Sequence, residues 1–254
     1  MRMDDLDPER SRREYADAAV EDLLWLGIRW AEGPDKSGIG GPYGPYAQSK
    51  RHALYLNAFR TLKKNGYLYP CKCTRKELAM SAIAPHENAR AGDDDEPIYP
   101  GTCRPGIDKS LNGTGIAGPE AANWRFRLND GEPVEFTDLH LGPQRFVAGV
   151  DFGDFLVWRR DSVPSYQLAC AVDDATMAIT EVVRGADLLK STVRQILLLR
   201  ALGYAPPAWY HCTLVADHHG RRLAKRFDAL SLRALRQRGL TPMNILSAEL
   251  PVLA

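Results

Sequence analysis

Apolar positions in the first quarter of the chain follow the spacing of two amphipathic helices. The pattern predicts one helix over residues 11–30 and a second over residues 50–65, which Gly66 ends in the C-cap position. The apolar residues that share a face are Tyr15, Ala19, Leu23, Leu26 and Trp30 in the first helix, and Tyr55, Phe59 and Leu62 in the second. We expect the second set to lie in the core.

The segment SYQLACAVDDATMAITEVVRGADLL is the centre of the second half of the chain. Its first apolar run stops at Asp173 and Asp174, and its second stops at Arg184 before a helical pattern, which predicts strand, turn, strand and helix. Polar residues at strand ends lie at the rim of a sheet, where open α/β folds bind ligands. Tyr166, the two aspartates and Arg184 are therefore candidate site residues. The alternative is that Arg184 only pairs with Asp173 or Asp187.

Strand patterns also surround this segment. WRFRL and PVEFTDLHLG alternate around an Asn-Asp-Gly turn at 129–131, which is typical of a β-hairpin. WYHCTLVAD predicts a further strand, and Ser231 and Thr241 predict two capped helix starts separated by Gly239. These patterns favour an α/β fold.

The composition and charge of the chain limit the classes of protein to which it can belong. The chain of 254 residues has 44% hydrophobic and 26% charged residues, which is ordinary for a globular protein. A formal net charge of +1 gives no global attraction to nucleic acid, so RNA contacts would need a local patch such as the arginine-rich segment 221–238. The charged N-terminus and the lack of a long apolar run predict a cytoplasmic protein with no membrane contact.

The cysteines suggest a metal site. Five cysteines without an export signal argue against a disulfide framework. Cys71 and Cys73 are spaced so that both thiolates can reach one ion, and Cys103 follows an acidic insertion that could fold back to them. Spacing alone leaves zinc and three buried thiols as equal alternatives.

Several stretches carry a resemblance to a known family. They are RMDDLDPERS, YPCKCTRKEL, YPGTCR, GDFLVWRRDSVPSYQLA, ITEVVRGADLLKST and GRRLAKRFDALSLRALR, in this order. Together they resemble the class I glutamyl-tRNA synthetase superfamily and, within it, the short glutamyl-queuosine tRNA(Asp) synthetases. The chain has no region after Ala254 that could correspond to the anticodon-binding region of a complete glutamyl-tRNA synthetase, and this favours the short relatives.

The resemblance implies an α/β, Rossmann-like nucleotide-binding fold with an inserted zinc-binding subdomain and a short C-terminal helical segment. The implied segments are 1–67, the first part of the catalytic domain; 68–150, the inserted zinc-binding subdomain; 151–220, the second half of the catalytic domain; and 221–254, a KMSKS-like loop with C-terminal helices. The resemblance also implies a monomer.

Functional residues follow from the same motifs. The resemblance implies that Asp4, Tyr166 and Arg184 hold glutamate, although Asp4 is one methylene shorter than the family's usual Glu. It places Lys225 in the KMSKS-like loop, where its charge would contact ATP and act in catalysis. The implied ligands of one structural zinc ion are Cys71, Cys73, Tyr99 and Cys103.

The implied activity is the ATP-dependent activation of glutamate, with Mg²⁺ on the phosphates, and its transfer to the queuosine base of tRNA(Asp). Three alternatives stay open: a non-catalytic tRNA-binding paralogue, a structural zinc-binding paralogue, and the catalytic fragment of a glutamyl-tRNA synthetase.

One departure from the family concerns the N-terminus. The family's ATP-binding HIGH element precedes the segment RMDDLD, and here Met1 falls where an internal strand residue is expected. We therefore expect little glutamate activation by the 254-residue chain. We also expect that an upstream segment of roughly 30 to 45 residues would restore it, from the usual length of a strand-helix-strand unit.

Overall fold

A computed structural model of the chain describes residues 1–7, 11–33, 41–73, 98–105, 118–214 and 231–246. The chain divides into two compact units: a first unit of residues 1–50 with 213–254, and a second unit of residues 51–212. The segment boundaries that the resemblance implies, after residues 67, 150 and 220, remain a prediction. None of the helices in the described ranges is long and apolar enough to cross a bilayer.

The regular elements in the described ranges alternate between helices and strands. They are α1 (Arg13–Trp25), α2 (His52–Lys64), β1 (Leu68–Cys71), β2 (Asn123–Phe126), β3 (Pro133–Asp138), β4 (Gly142–Val147), β5 (Phe155–Trp158), α3 (Tyr166–Thr176), β6 (Glu181–Gly185), α4 (Leu189–Ala201), β7 (Ala208–Cys212), α5 (Leu232–Gln237) and α6 (Pro242–Leu246). Short 3₁₀ turns lie at Gln48–Lys50, Pro119–Ala121 and Ala186–Leu188.

Helix α1 of the first unit is shorter than the predicted helix over 11–30. It ends at Trp25 because Gly27 adopts φ +89°, a left-handed conformation that stops a helix. Tyr15, predicted on the apolar face, is 59% exposed.

The two predicted C-terminal helices are confirmed as α5 and α6. Ser231 Oγ accepts a hydrogen bond from the Ala234 N–H at 3.2 Å, so it caps the first of them. Arg233 and Arg236 of this helix both bind the Glu21 carboxylate, at 2.9 and 3.0 Å. Two arginines of the basic segment are therefore already paired within the first unit.

The second unit contains two sheets. Strands β1, β2 and β5 form an antiparallel sheet in that order. Strands β4, β3, β7 and β6 form the other, in which β3, β7 and β6 run parallel and β4 pairs antiparallel with β3. The mixed sheet confirms the predicted α/β class. Of the strand predicted over WYHCTLVAD, the structure shows the part that ends at Cys212.

The predicted hairpin of WRFRL with PVEFTDLHLG is wrong. The turn exists, with Gly131 at φ +83°, but β2 pairs with β1 and β5, whereas β3 pairs with β4. The chain thus crosses from one sheet to the other at this turn. The second half of PVEFTDLHLG is itself the turn between β3 and β4.

The first half of the central segment is a helix and not a strand. YQLACAV belongs to α3, whose residues from Leu168 to Asp174 are all buried. A helix buried on almost every side carries no polar stripe, so its sequence resembles that of a buried strand. Ser165 caps this helix by accepting a hydrogen bond from the Leu168 N–H at 3.3 Å. Asp173 and Asp174 therefore lie in a buried helix and do not end a strand.

Helix α2 supplies the core that the sequence predicted. Tyr55, Phe59 and Leu62 are at most 1% exposed, and the Phe59 ring lies 5.3 and 5.2 Å from the rings of Trp124 and Trp158. Aromatic contacts of this kind fix α2 against the antiparallel sheet.

Candidate functional site

Three parallel strands of the second unit end side by side and place polar residues at one edge of the sheet. Arg184 is the penultimate residue of β6, and it is in register with His211 on β7. Asp138 ends β3 on the other side of β7. The carboxyl edge of a parallel sheet is where α/β folds bind ligands. We call the following residues the Arg184 cluster: Asp138, Tyr166, Arg184, Thr192, Gln195 and His211.

Arg184 is held from several directions within this cluster. Its Nη1 donates to Gln195 Oε1 at 2.9 Å, its Nη2 donates to Thr192 Oγ1, and its Nε lies 3.4 Å from His211 Nε2. The guanidinium carbon lies 4.6 Å from the centre of the Trp209 ring, and the side chain also hydrogen-bonds to Tyr166. The two glutamate-binding candidates Tyr166 and Arg184 thus come together.

The hydrogen-bond partners of Arg184 carry no charge. In the described part of the chain, each group that hydrogen-bonds to its guanidinium is a neutral side chain. Burial lowers the pKa of Arg184, although the Asp174 carboxylate acts on it electrostatically in the direction that raises this pKa. The alternative pairing with Asp173 is wrong, because Asp173 is 2.7 Å from Arg51 Nε and accepts from Tyr55. A half-buried cation surrounded by neutral acceptors favours a negatively charged ligand.

His211 and Asp138 form a buried pair next to Arg184. His211 Nδ1 lies 2.6 Å from Asp138 Oδ2, and both side chains are 0% exposed. Burial lowers the pKa of His211, although Asp138 acts in the opposite direction. Burial also acts to raise the pKa of Asp138, but the hydrogen bond from His211 and three backbone N–H groups outweigh it and lower that pKa to about 2. The pair is therefore a neutral imidazole beside an ionised carboxylate.

The predicted zinc ligands are also brought together. Cys73 Sγ lies 3.5 Å from Cys103 Sγ, the Tyr99 hydroxyl lies 3.5 Å from both Cys71 Sγ and Cys73 Sγ, and the three sulfurs lie within 4.8 Å of one another. Around a tetrahedral zinc ion with bonds of about 2.3 Å to sulfur and about 2.0 Å to oxygen, two sulfurs are about 3.8 Å apart, and sulfur and oxygen about 3.5 Å. The four groups therefore fit this geometry.

Neighbouring groups act on these side chains in different directions. Burial raises the pKa of the Cys73 thiol to about 11 and also raises the pKa of Tyr99. Burial acts to raise the pKa of the Cys103 thiol, but hydrogen bonds, first from the Lys72 backbone, lower it to about 7. Arg125 Nε donates to Cys71 Sγ at 3.4 Å, and its guanidinium lies 3.9 Å from the centre of the Tyr99 ring. A cation at this position favours ionised ligands. Cys170, buried in α3, and Cys212, at the end of β7, lie outside this cluster.

Two predicted site residues lie elsewhere. Asp4 belongs to the first unit, where its carboxylate is 2.8 Å from Arg2 Nε, and its role with glutamate stays a prediction. Lys225 lies outside the described residues. The sequence reasoning missed Asp138, His211, Thr192 and Gln195. Asp138 ends β3 and His211 is the penultimate residue of β7, so the same strand-end argument that selected Arg184 could have found them.

The fold and this edge of the sheet define a class of protein. Residues 1–249 match the family model described as tRNA synthetases class I (E and Q), catalytic domain, and the chain belongs to this family. The class I synthetase fold that the sequence predicted is thereby confirmed.

Individual relatives narrow the comparison. The chain is 47% identical over 245 residues to the glutamyl-Q tRNA(Asp) synthetase of Symbiobacterium thermophilum, covering 96% of this chain and 73% of the relative. It is also 47% identical over 245 residues to the protein of the same name from Nitratidesulfovibrio vulgaris, covering 96% and 72%. A crystal structure of a glutamate tRNA ligase from Elizabethkingia meningosepticum in complex with its amino acid superposes with a TM-score of 0.71 at 26% identity, over 89% of this chain and 44% of that one.

Proposed function

We propose that the protein activates glutamate with ATP and transfers the glutamyl group to the queuosine base of tRNA(Asp). The chain belongs to the synthetase family for glutamate and glutamine, and relatives named glutamyl-Q tRNA(Asp) synthetase match 96% of it at 47% identity. The proposed amino-acid substrate and the proposed RNA substrate are supported by different observations.

The Arg184 cluster supports glutamate as the amino acid. The guanidinium is fixed at the carboxyl edge of the sheet by acceptors without charge. A carboxylate that reached it would form charge-assisted hydrogen bonds and neutralise a desolvated cation. Glutamate carries a second carboxylate, whereas glutamine offers a neutral amide at the same position. This arginine, whose hydrogen-bond partners are neutral, is the observation on which the proposed amino-acid choice depends.

The proposed reaction has two steps. The carboxylate of glutamate attacks the α-phosphate of ATP, and pyrophosphate leaves with Mg²⁺ on its oxygens. A queuosine hydroxyl then attacks the activated carbonyl and releases AMP. Tyr166 and Arg184 would position glutamate in the first step, and Lys225 would offset charge on the α-phosphate.

We also propose that Cys71, Cys73, Tyr99 and Cys103 hold one structural zinc ion. The distances among the three sulfurs and the phenol oxygen support this, as does the guanidinium of Arg125 beside them. Four protein ligands leave no open position for a catalytic water, so the ion would stabilise the fold around β1.

Labelled glutamate tests the proposal directly. The protein expressed from its complete gene is incubated with ATP, ¹⁴C-glutamate and one of three RNAs: tRNA(Asp) with queuosine, tRNA(Asp) without it, or tRNA(Glu). We expect label only on the first, and nuclease digestion should place it in the anticodon fragment.

Other outcomes would support the alternatives. Label at the 3′ end of tRNA(Glu) would identify a glutamate–tRNA ligase. RNA binding without transfer to any of the three would favour a non-catalytic tRNA-binding paralogue. If neither RNA binding nor glutamyl transfer is detected, the remaining alternative is a structural zinc-binding protein.

A further inference from the structure

We propose that Asp138 and His211 position Arg184 for its carboxylate ligand by holding the imidazole of His211 in one neutral tautomer. This inference rests on the proposed binding of glutamate at Arg184. It concerns two fully buried side chains, which would act on the ligand through Arg184. Their side chains meet on adjacent strands, and His211 lies opposite Arg184 in the register of β7 with β6.

The orientation of Asp138 is fixed by the backbone. Its Oδ1 accepts hydrogen bonds from the N–H groups of His140 at 3.0 Å, Leu141 at 2.8 Å and His211 at 3.3 Å. Its Oδ2 is thereby directed at His211 Nδ1, 2.6 Å away. An ionised carboxylate can only accept, so Nδ1 must carry the proton. In a neutral imidazole the lone pair then belongs to Nε2.

The lone pair on Nε2 faces two donors. The Thr192 hydroxyl lies 2.8 Å from it, and Arg184 Nε lies 3.4 Å from it. Thr192 in turn accepts a hydrogen bond from Arg184 Nη2. These hydrogen bonds therefore form one series in which each group donates to the next, from Arg184 through Thr192 and His211 to Asp138. With Gln195 on Nη1, this series fixes the plane of the guanidinium.

The other tautomer would disturb this arrangement. An N–H at His211 Nε2 would face the N–H of Arg184 Nε, so two donors would oppose each other. Thr192 would then receive two donors, and its own proton could only go to the Leu188 carbonyl at 3.2 Å. The guanidinium would lose its fixed plane, and a planar guanidinium binds a carboxylate best when it is already oriented.

Asp138→Asn reverses the tautomer while it preserves shape. The three backbone N–H groups require an oxygen at the Oδ1 position, so the amide nitrogen of Asn must face His211 Nδ1. That nitrogen is a donor, and it forces the proton of His211 onto Nε2. We expect the KM for glutamate to rise roughly 10-fold, the effect of one lost hydrogen bond to a charged group. The KM for ATP should stay the same.

The assay is ATP–pyrophosphate exchange by the protein from its complete gene, which gives both KM values in one experiment. Asp161→Asn is the matched control, since Asp161 pairs at the surface with Arg159. ¹⁵N NMR of histidine-labelled protein reports which nitrogen of His211 carries the proton. We expect Nδ1 in the original protein and Nε2 in Asp138→Asn.

A second pair of variants separates positioning from structure. In His211→Gln the amide oxygen can replace the Nε2 acceptor, whereas in His211→Asn the shorter amide can only replace Nδ1. Positioning therefore predicts a larger rise in the glutamate KM for Asn than for Gln. Equal changes in both KM values, or an unchanged glutamate KM in Asp138→Asn, would overturn the inference alone. Absence of glutamate-dependent exchange in the original protein would overturn the proposed function and the inference with it.

Discussion

Arg51 and Arg184 of the second unit contact different kinds of group, and we expect them to have different roles for this reason. Arg51, with a side chain 2% exposed, pairs with the Asp173 carboxylate at 2.7 Å, and the Tyr55 hydroxyl also donates to that carboxylate. Arg184 has neutral acceptors instead. The first arginine is satisfied by the fold. The second has neutral hydrogen-bond partners, and we propose that it binds a carboxylate of the substrate.

This difference predicts that replacing each arginine by methionine destabilises the fold by a different amount. Arg51→Met would remove the cation that pairs with the buried charge of Asp173 and should destabilise the fold by about 3–5 kcal/mol. Arg184→Met removes hydrogen bonds to neutral groups and an electrostatic interaction with Asp174, so we expect a smaller cost of about 1–3 kcal/mol. Urea unfolding of both variants measures the difference. Equal losses would show that Arg184 also serves mainly as a structural residue.

The His211–Asp138 pair predicts how stability depends on pH. The charged groups that face His211 are Asp138, Asp187 and Arg184, and burial, the largest effect, lowers its pKa below 6.5. The unfolded chain binds a proton near pH 6.5 and the folded chain only at lower pH, so the contribution of His211 is complete above that value and is lost on acidification.

A non-titrating variant checks this dependence. His211→Gln should lose less stability than the original protein when the pH falls from about 7.5 to about 5.5, because it removes one group that the unfolded chain protonates. Urea unfolding at the two pH values gives the comparison. Parallel losses in the two proteins would contradict a lowered pKa for His211.

At the scale of single elements, the spacing of apolar residues correctly predicted an element that has one face in solvent. Helix α2 was predicted correctly because its buried residues alternate with exposed ones at helical spacing. Helix α3 was not, since it is buried on nearly all sides and local pattern cannot separate it from a strand. The pairing of β2 was also missed, because a turn signal does not say whether the chain stays in the same sheet.

The segment around β1 supports a separate prediction about metal. We expect one zinc ion per chain, and Cys103→Ser should release it and destabilise this region, because structural zinc supplies folding free energy. Cys212→Ser is the matched control, since its thiol lies outside the cluster. Elemental analysis of the purified proteins measures the metal. Zinc-free original protein, or full zinc content in Cys103→Ser, would refute the proposed site.

At the scale of the whole molecule, the family motifs predicted more of the fold and of the candidate site than the periodicity of apolar residues did. The resemblance implied the class I fold, and the family match over residues 1–249 confirms it. It also selected Tyr166 with Arg184, and Cys71 with Cys73, Tyr99 and Cys103, as groups that the structure brings together. It could not reveal that the hydrogen-bond partners of Arg184 are neutral, since that depends on which side chains of β7 and α4 pack against it.

Equilibrium binding of L-glutamate tests most directly whether Arg184 is a carboxylate-binding residue. Calorimetry on the protein from its complete gene should detect binding. Arg184→Ala should weaken it about 100-fold, as expected when one partner of a desolvated charged pair is removed. Arg184→Lys should recover only part of the loss because it lacks the planar fork. Arg159→Ala, which removes an exposed pair with Asp161, should bind normally. Glutamate affinity that is unchanged in Arg184→Ala would contradict the account.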